Sequence, residues 1–156
     1  MRCGGERERV EPNVLLEDVD PDAFDAVAIP GGFESQGFFE DAYSSSVLQT
    51  LRDFDRNRKP VASICVGVLP LAIRGILSGK RATTYHLMGG KRRKQLSELG
   101  ANVVDAAIVT DENKITSTSP ATAIDVALTL VEKLTTKENA ERIRHLMGFG
   151  IDPTAE

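Results

Sequence analysis

Short apolar runs alternate with longer amphipathic segments along the chain, which is the pattern of a mostly parallel β-sheet covered by helices. Residues 25–29 and 61–64 are apolar runs of strand length, and a turn follows each of them. Residues 45–58, between the two runs, carry apolar side chains at helical spacing. The first half of the chain therefore predicts a strand, a helix and a second strand.

The second half continues the alternation. Residues 68–77 are apolar on nearly every side and predict a buried helix. The remaining predicted elements are a strand at 81–85, a helix at 91–99 capped by Gly100, a hairpin of 103–110 with 114–117, an amphipathic helix with Ile124, Ala127, Leu128, Val131 and Leu134 on one face, and a last helix with Ala140, Ile143, Leu146 and Met147. No linker or repeat interrupts this order, so we expect one domain over residues 1–156, with a frayed tail at 148–156.

Cys65 stands at the junction of the second strand and the next helix. A thiol at such an elbow lies clear of the sheet, above the free N–H groups of the helix start. Because the N-terminal end of a helix carries partial positive charge, this position favours the thiolate and a lowered pKa. Cys65 is therefore the candidate nucleophile. The alternative is a cysteine that serves as a small buried hydrophobe.

Two loops follow the carboxyl ends of predicted strands, where ligands bind in open parallel sheets. One contains Gly31 and Gly32, and the other contains Val66. Their N–H groups could polarise a carbonyl oxygen as an oxyanion hole, although a plain tight turn would also explain the glycines. His86 follows the strand at 81–85 and is the candidate general base, with an ordinary surface histidine as the alternative.

The composition is that of a soluble globular protein, with 41% hydrophobic and 27% charged residues in 156. The net charge of −4 argues against nucleic acid or an anionic membrane as a partner. The basic run at 91–94 fits a solvated helical face better than a phosphate site. Two cysteines, Cys3 and Cys65, form no disulfide framework, and no apolar run could cross a bilayer or serve as a signal peptide. We expect a cytoplasmic protein without a metal or cofactor.

Four ordered motifs resemble the ThiJ/PfpI superfamily. They are Asp25-Ala-Val-Ala-Ile-Pro-Gly-Gly32, Ala62-Ser-Ile-Cys65-Val-Gly67, Gly79-Lys-Arg-Ala-Thr-Thr-Tyr85 and Ile115-Thr-Ser-Thr-Ser-Pro-Ala-Thr-Ala123. The resemblance covers residues 10–147. It implies the flavodoxin-like sandwich of class I glutamine amidotransferase-like proteins, helices on both faces of the sheet, and a homodimer. It also implies a Cys65 nucleophile with oxyanion donors at Gly32 and Val66.

This superfamily includes the parkinsonism-associated deglycase, PfpI-type proteases and isonitrile hydratases. The resemblance implies a cysteine-dependent hydrolase or lyase that acts on a small reactive carbonyl compound, of the glyoxalase or deglycase kind. Two alternatives stay open, an isonitrile hydratase-like enzyme and a non-enzymatic protein that senses oxidative stress, or acts as a chaperone, through Cys65. A degraded, inactive site is a third.

The sequence departs from the family pattern around the nucleophile. Val66 occupies the position where PfpI-like proteases have histidine, which argues against proteolysis. Tyr85 stands where the deglycase and hydratase branches have histidine, so His86 reaches Cys65 only if the strand has ended by then. Thr118 replaces an arginine of the deglycase branch, which weakens the case for an anionic substrate.

The family's opening strand and its acidic partner of the cysteine have no counterpart in this sequence. A local acid such as Glu34 or a neighbouring chain could replace that partner, or Cys65 could lack it. The opening strand lies inside the family's sheet, so its absence would leave an apolar sheet edge that is prone to pairing with another chain. We therefore expect low stability or self-association.

Overall fold

The computed structural model describes residues 11–149 and contains a main sheet of four strands. In spatial order they are β1 (Val27–Ile29), β2 (Val61–Ile64), β6 (Lys114–Ser117) and β5 (Ile108–Asp111). The pairs β1–β2 and β2–β6 are parallel, whereas β5 and β6 form an antiparallel hairpin. Within the described residues, β1 and β5 are thus the edges of this sheet. A second, two-stranded parallel sheet joins β3 (Arg81–Ala82) to β4 (Asn102–Val103).

Six α-helices surround the sheets in the described part of the chain. They are α1 (Phe38–Ala42), α2 (Ser45–Arg56), α3 (Leu69–Ile73), α4 (Lys91–Glu98), α5 (Ala123–Leu134) and α6 (Lys137–Leu146). None of the helices between residues 11 and 149 has both the length and the apolar character needed to cross a bilayer. The α/β class and the mostly parallel sheet agree with the sequence prediction.

The strand β2 separates two apolar cores because successive side chains point to opposite faces of a sheet. Val61 lies in the larger core, together with buried residues of α2, of α3 and of the turn at 65–68. Ala62 lies in the smaller core, with Ile115 of β6 and Val126 of α5. Helices therefore cover both faces of β2, and Cys65 leaves the sheet from its centre.

The apolar stripe predicted for α5 matches the buried face only in part, with Leu128 buried as expected. Val126 packs against the sheet and Leu130 against the same cluster, whereas Ile124 and Leu134 of the predicted stripe are exposed. The other flank of α5 packs on α6, where Arg144 binds Asp125 at 2.8 Å. The contact with the sheet and the contact with α6 together set the orientation of α5. A prediction of one apolar stripe does not include both contacts.

Three predicted elements are shorter in the structure. The helix after the elbow stops at Ile73 because Gly75 follows in the left-handed conformation. The strand at 81–85 is regular only to Ala82, and the predicted strand at 103–110 divides between β4 and β5. Cys3 and most of the predicted tail, residues 150–156, lie outside the described residues.

Candidate active site

The backbone at Cys65 is strained. Its φ is +57°, in the left-handed region that few residues other than glycine adopt. β2 ends one residue earlier, and a 3₁₀ turn begins at Cys65 and continues to Val68. Such strain persists where the surrounding structure enforces it, which is common at functional sites. Cys65 itself lies in the larger of the two apolar cores.

Gly67 permits this turn to pass close to the end of β1. A Cβ atom at Gly67 would lie 2.5 Å from the carbonyl oxygen of Pro30 and 2.9 Å from that of Ile29. Both distances are far below van der Waals contact. The elbow and the loop after β1 therefore hold each other through backbone contact that only glycine allows.

The two glycines after Pro30 have different surroundings. A Cβ at Gly31 would lie 2.9 Å from Cys65 Cβ and 3.6 Å from its Sγ, so Gly31 is the close neighbour of the thiol. A Cβ at Gly32 would collide with the ring of Phe38. The structure thus places Gly31 and Val66 beside Cys65, and it places Gly32 under an aromatic cover. Oxyanion binding by these three residues stays a prediction.

The thiol of Cys65 is nearly enclosed, with 9% of the residue exposed. Burial raises the pKa of the Cys65 thiol and outweighs two opposing effects, the hydrogen bond that the Val66 N–H donates to it and the charge of Arg92. The lowered pKa expected from the elbow is therefore wrong in direction. A physical reason is that a 3₁₀ turn and a five-residue helix follow, instead of one long α-helix with a strong dipole.

We predict that alkylation of Cys65 by iodoacetamide has its midpoint at a higher pH than that of a free cysteine, roughly 8.5. The rate is measured from pH 6 to 11 by peptide mass spectrometry, with N-acetylcysteinamide as the reference thiol. Because only the thiolate reacts, the rate follows the ionised fraction. A Cys65 midpoint below that of the reference would contradict the dominance of burial.

Two residues of the site escaped sequence reasoning. The hydroxyl of Thr84 is buried and donates to the Cys65 carbonyl at 2.8 Å, which fixes the elbow from the side of β3. The charge of Arg92 acts to lower the pKa of the Cys65 thiol, and its side chain is only 14% exposed, although the basic run to which it belongs suggested a solvated face. The Thr-Thr pair of the family motif includes Thr84 and could have indicated it. No comparable feature of the sequence indicates Arg92.

His86 and Glu34 are not among the groups that act on the Cys65 thiol. Tyr85 packs against the core that contains Cys65, whereas His86, one residue later, is exposed, with its ring centroid 6.3 Å from that of Tyr85. Glu34 instead binds Arg92, with Oε2 2.7 Å from Nη2. The general-base role of His86 stays a prediction, and Glu34 meets the thiol only through Arg92.

Between residues 11 and 149, no three histidine, cysteine, aspartate or glutamate side chains form a group that could hold a metal ion.

Comparison with known proteins agrees with this geometry. The chain is 34% identical over 135 residues to the Drosophila melanogaster protein dj-1beta, and 28% identical over 144 residues to the Arabidopsis thaliana protein DJ-1 homolog A. These alignments cover 86% and 92% of the chain, but only 69% of the first relative and 36% of the second. The chain therefore spans about two thirds and about one third of the length of these two relatives.

Solved structures of DJ-1 proteins are also similar to this chain. The crystal structure of Drosophila melanogaster DJ-1beta matches with a TM-score of 0.79 at 32% identity, covering 91% of this chain and 73% of that one. Oxidised DJ-1 of Toxoplasma gondii matches with a TM-score of 0.76 at 26% identity, with the same coverage. A model of the DJ-1/PfpI family matches residues 2–133. The chain belongs to the DJ-1/PfpI family.

Proposed function

We propose that this protein is a cysteine-dependent hydrolase or lyase that acts on small reactive carbonyl compounds such as methylglyoxal. The observation that supports this most is the strained Cys65, held beside the Gly31 backbone and the Val66 N–H at the end of a central strand. An enclosed thiol next to main-chain N–H donors suits addition to a polarised carbonyl group. Membership of the DJ-1/PfpI family agrees with it.

In the proposed reaction, the Cys65 thiol loses its proton and its sulfur adds to the aldehyde carbon of methylglyoxal. The carbonyl electron pair moves to oxygen, where main-chain N–H groups hold the charge until a proton returns and gives a hemithioacetal. Transfer of hydrogen from that carbon to the neighbouring carbonyl carbon yields a thioester. Water then releases lactate and restores the thiol, so that one methylglyoxal and one water give one lactic acid.

The raised pKa of Cys65 requires that a base remove the proton as substrate binds. His86 is the base predicted from the sequence. Its exposed position means that a proton must travel between it and the thiol through water or substrate.

A redox-sensing role is the second candidate, and one comparison favours it. A structural neighbour was solved as oxidised DJ-1 of Toxoplasma gondii. The Cys65 thiol could likewise be oxidised to sulfenic or sulfinic acid. This role requires Cys65 but no turnover.

Methylglyoxal loss and lactate formation distinguish the two roles. We predict that the wild type consumes methylglyoxal and forms lactate in equal amounts, and that Cys65→Ser reduces the rate to that of buffer alone, because a serine hydroxyl is a far weaker nucleophile at neutral pH. Cys3→Ser, which removes the other cysteine of the chain, is the matched control and should keep the wild-type rate. Equal rates for the wild type and Cys65→Ser would refute the enzymatic proposal.

A further inference from the structure

Thr84 is a fully buried threonine that contacts the elbow from another part of the chain. It comes two residues after the end of β3, and its hydroxyl donates to the carbonyl oxygen of Cys65 at 2.8 Å. The main sheet holds the preceding residue, because the N–H of Thr83 donates to the hydroxyl of Thr116 in β6 at 3.0 Å. Thr116 in turn pairs with Ser63 of β2 in the parallel register. The backbone that carries Thr84 is therefore anchored to the same sheet as the elbow.

The bond from Thr84 acts on the peptide group between Cys65 and Val66. The carbonyl oxygen of this group belongs to Cys65, and its N–H belongs to Val66. A peptide group is planar, and in the trans form, which this bond has, its C=O and N–H point in opposite directions. A contact that fixes the oxygen therefore also fixes where the Val66 N–H points. That N–H donates a hydrogen bond to the sulfur of Cys65.

The left-handed backbone of Cys65 needs contacts that hold it. A φ of +57° is unfavourable for a residue with a side chain, and such a conformation persists only where the surrounding structure enforces it. The close approach at Gly67 fixes how near the turn passes to the loop after β1. The hydroxyl of Thr84, by contrast, contacts the peptide group itself. A hydrogen bond at the carbonyl also polarises the peptide group and strengthens its N–H as a donor.

We propose that Thr84 is a positioning residue that directs the Val66 N–H at the negative charge that develops when Cys65 reacts. The inference rests on the proposed function, in which main-chain N–H groups hold that charge. The charge lies on the sulfur once the thiol has ionised, and on the substrate oxygen after the sulfur has added to the carbonyl carbon. Thr84 acts on both atoms through the peptide group that it holds.

Alkylation of Cys65 by iodoacetamide tests the direction of the Val66 N–H without any need for turnover. Valine has nearly the shape of threonine but no hydroxyl, so Thr84→Val removes the hydrogen bond to the Cys65 carbonyl. A hydrogen bond donated to a thiolate favours the charged form and lowers the thiol pKa. When the N–H is less well directed, the midpoint of the alkylation rate against pH should rise, by about half a pH unit in Thr84→Val.

A merely structural role of Thr84 predicts the opposite sign. If the substitution only loosened the turn, water would enter, and the pKa of Cys65, which burial raises, would fall toward that of a free thiol. Thr84→Ser keeps the hydroxyl and should restore most of the wild-type midpoint. Thr83→Val is the matched control, because Thr83 is equally buried and its hydroxyl has no hydrogen-bond partner within residues 11–149. It should leave the midpoint unchanged.

Methylglyoxal turnover gives a second readout. The N–H binds the substrate oxygen strongly only when charge develops there, so a change in its direction should lower kcat and leave KM nearly unchanged. Removal of a whole oxyanion donor costs about 10²–10³ in kcat. Because Thr84→Val keeps the Val66 N–H and changes only its direction, we expect a smaller fall, about tenfold. Thr83→Val should keep the wild-type kcat.

An unchanged or lowered midpoint in Thr84→Val, with circular dichroism showing a folded protein, would overturn the proposal. So would equal shifts in Thr84→Val and Thr83→Val, because the bond to the Cys65 carbonyl would then have no effect of its own. NMR of the wild type covers the case in which Thr84→Val does not fold. The Val66 amide proton should shift downfield as Cys65 ionises, and the Thr84 hydroxyl proton should exchange slowly with water. An unresponsive amide or a rapidly exchanging hydroxyl would equally contradict the proposal.

The two proposals fail in different ways. Absence of methylglyoxal turnover in the wild type would refute the enzymatic function, while the alkylation midpoints would still decide whether Thr84 directs the Val66 N–H. Turnover with unchanged midpoints and an unchanged kcat in Thr84→Val would support the enzyme and refute the role of Thr84.

Discussion

Gly67→Ala is expected to destabilise the protein by about 3 kcal/mol, at the upper end of the usual cost of overpacking. The new Cβ would meet the carbonyl oxygens of Pro30 at 2.5 Å and Ile29 at 2.9 Å. Both are backbone atoms at the end of β1, so no side chain can rotate away. Relief requires that the elbow and the loop after β1 separate, and this also moves Gly31 away from Cys65.

Thermal unfolding followed by circular dichroism measures this effect, and the midpoint should fall by roughly 6–12 °C for a chain of this size. Gly75→Ala is the matched control. Gly75 has a φ of +77° and open space around its Cα, so alanine there costs only the left-handed conformation, about 1 kcal/mol. If Gly67→Ala were no more harmful than Gly75→Ala, the backbone contact at the elbow would not be as close as the structure has it.

The elbow could be predicted from the sequence because its determinants are local. The apolar run at residues 61–64 gives β2 with its observed bounds, and a cysteine followed by Val66 and Gly67 gives the turn. The chain reversal near Asn113 gives the hairpin of β5 and β6 for the same reason. The elbow and the hairpin each depend on residues that lie close together in sequence.

The charge state of the site could not be predicted in this way. The pKa of Cys65 depends on how completely the packed elements exclude water, and this burial outweighs the hydrogen bond from the Val66 N–H and the charge of Arg92. Arg92 is held by Glu34, 58 residues away in sequence, and by the ring of Phe39. A run of four basic residues does not reveal which of them will find such partners.

Asp55→Asn is expected to destabilise the protein by about 2 kcal/mol, because it removes the anionic partner of a buried lysine. Lys114, the first residue of β6, has a side chain that is only 2% exposed. Its Nζ lies 2.7 Å from Asp55 Oδ1 of α2 and 2.6 Å from Asn113 Oδ1. Removal of one partner from a fully buried pair costs about 3–5 kcal/mol, and we expect less because Asp55 is 33% exposed, so that water can partly replace it.

Urea unfolding of Asp55→Asn, Asp53→Asn and the double variant Asp55→Asn/Lys114→Met tests this interpretation. Asp53 lies on the same helix, and its carboxylate accepts a hydrogen bond from exposed Gln49, so its loss should change the unfolding free energy by less than about 0.5 kcal/mol. The double variant should be more stable than Asp55→Asn, since an apolar side chain at position 114 removes the unpaired charge and keeps most of the buried volume. A double variant less stable than Asp55→Asn would mean that Lys114 stabilises β6 even without its anionic partner, and an unpaired buried charge would then not explain the loss in Asp55→Asn.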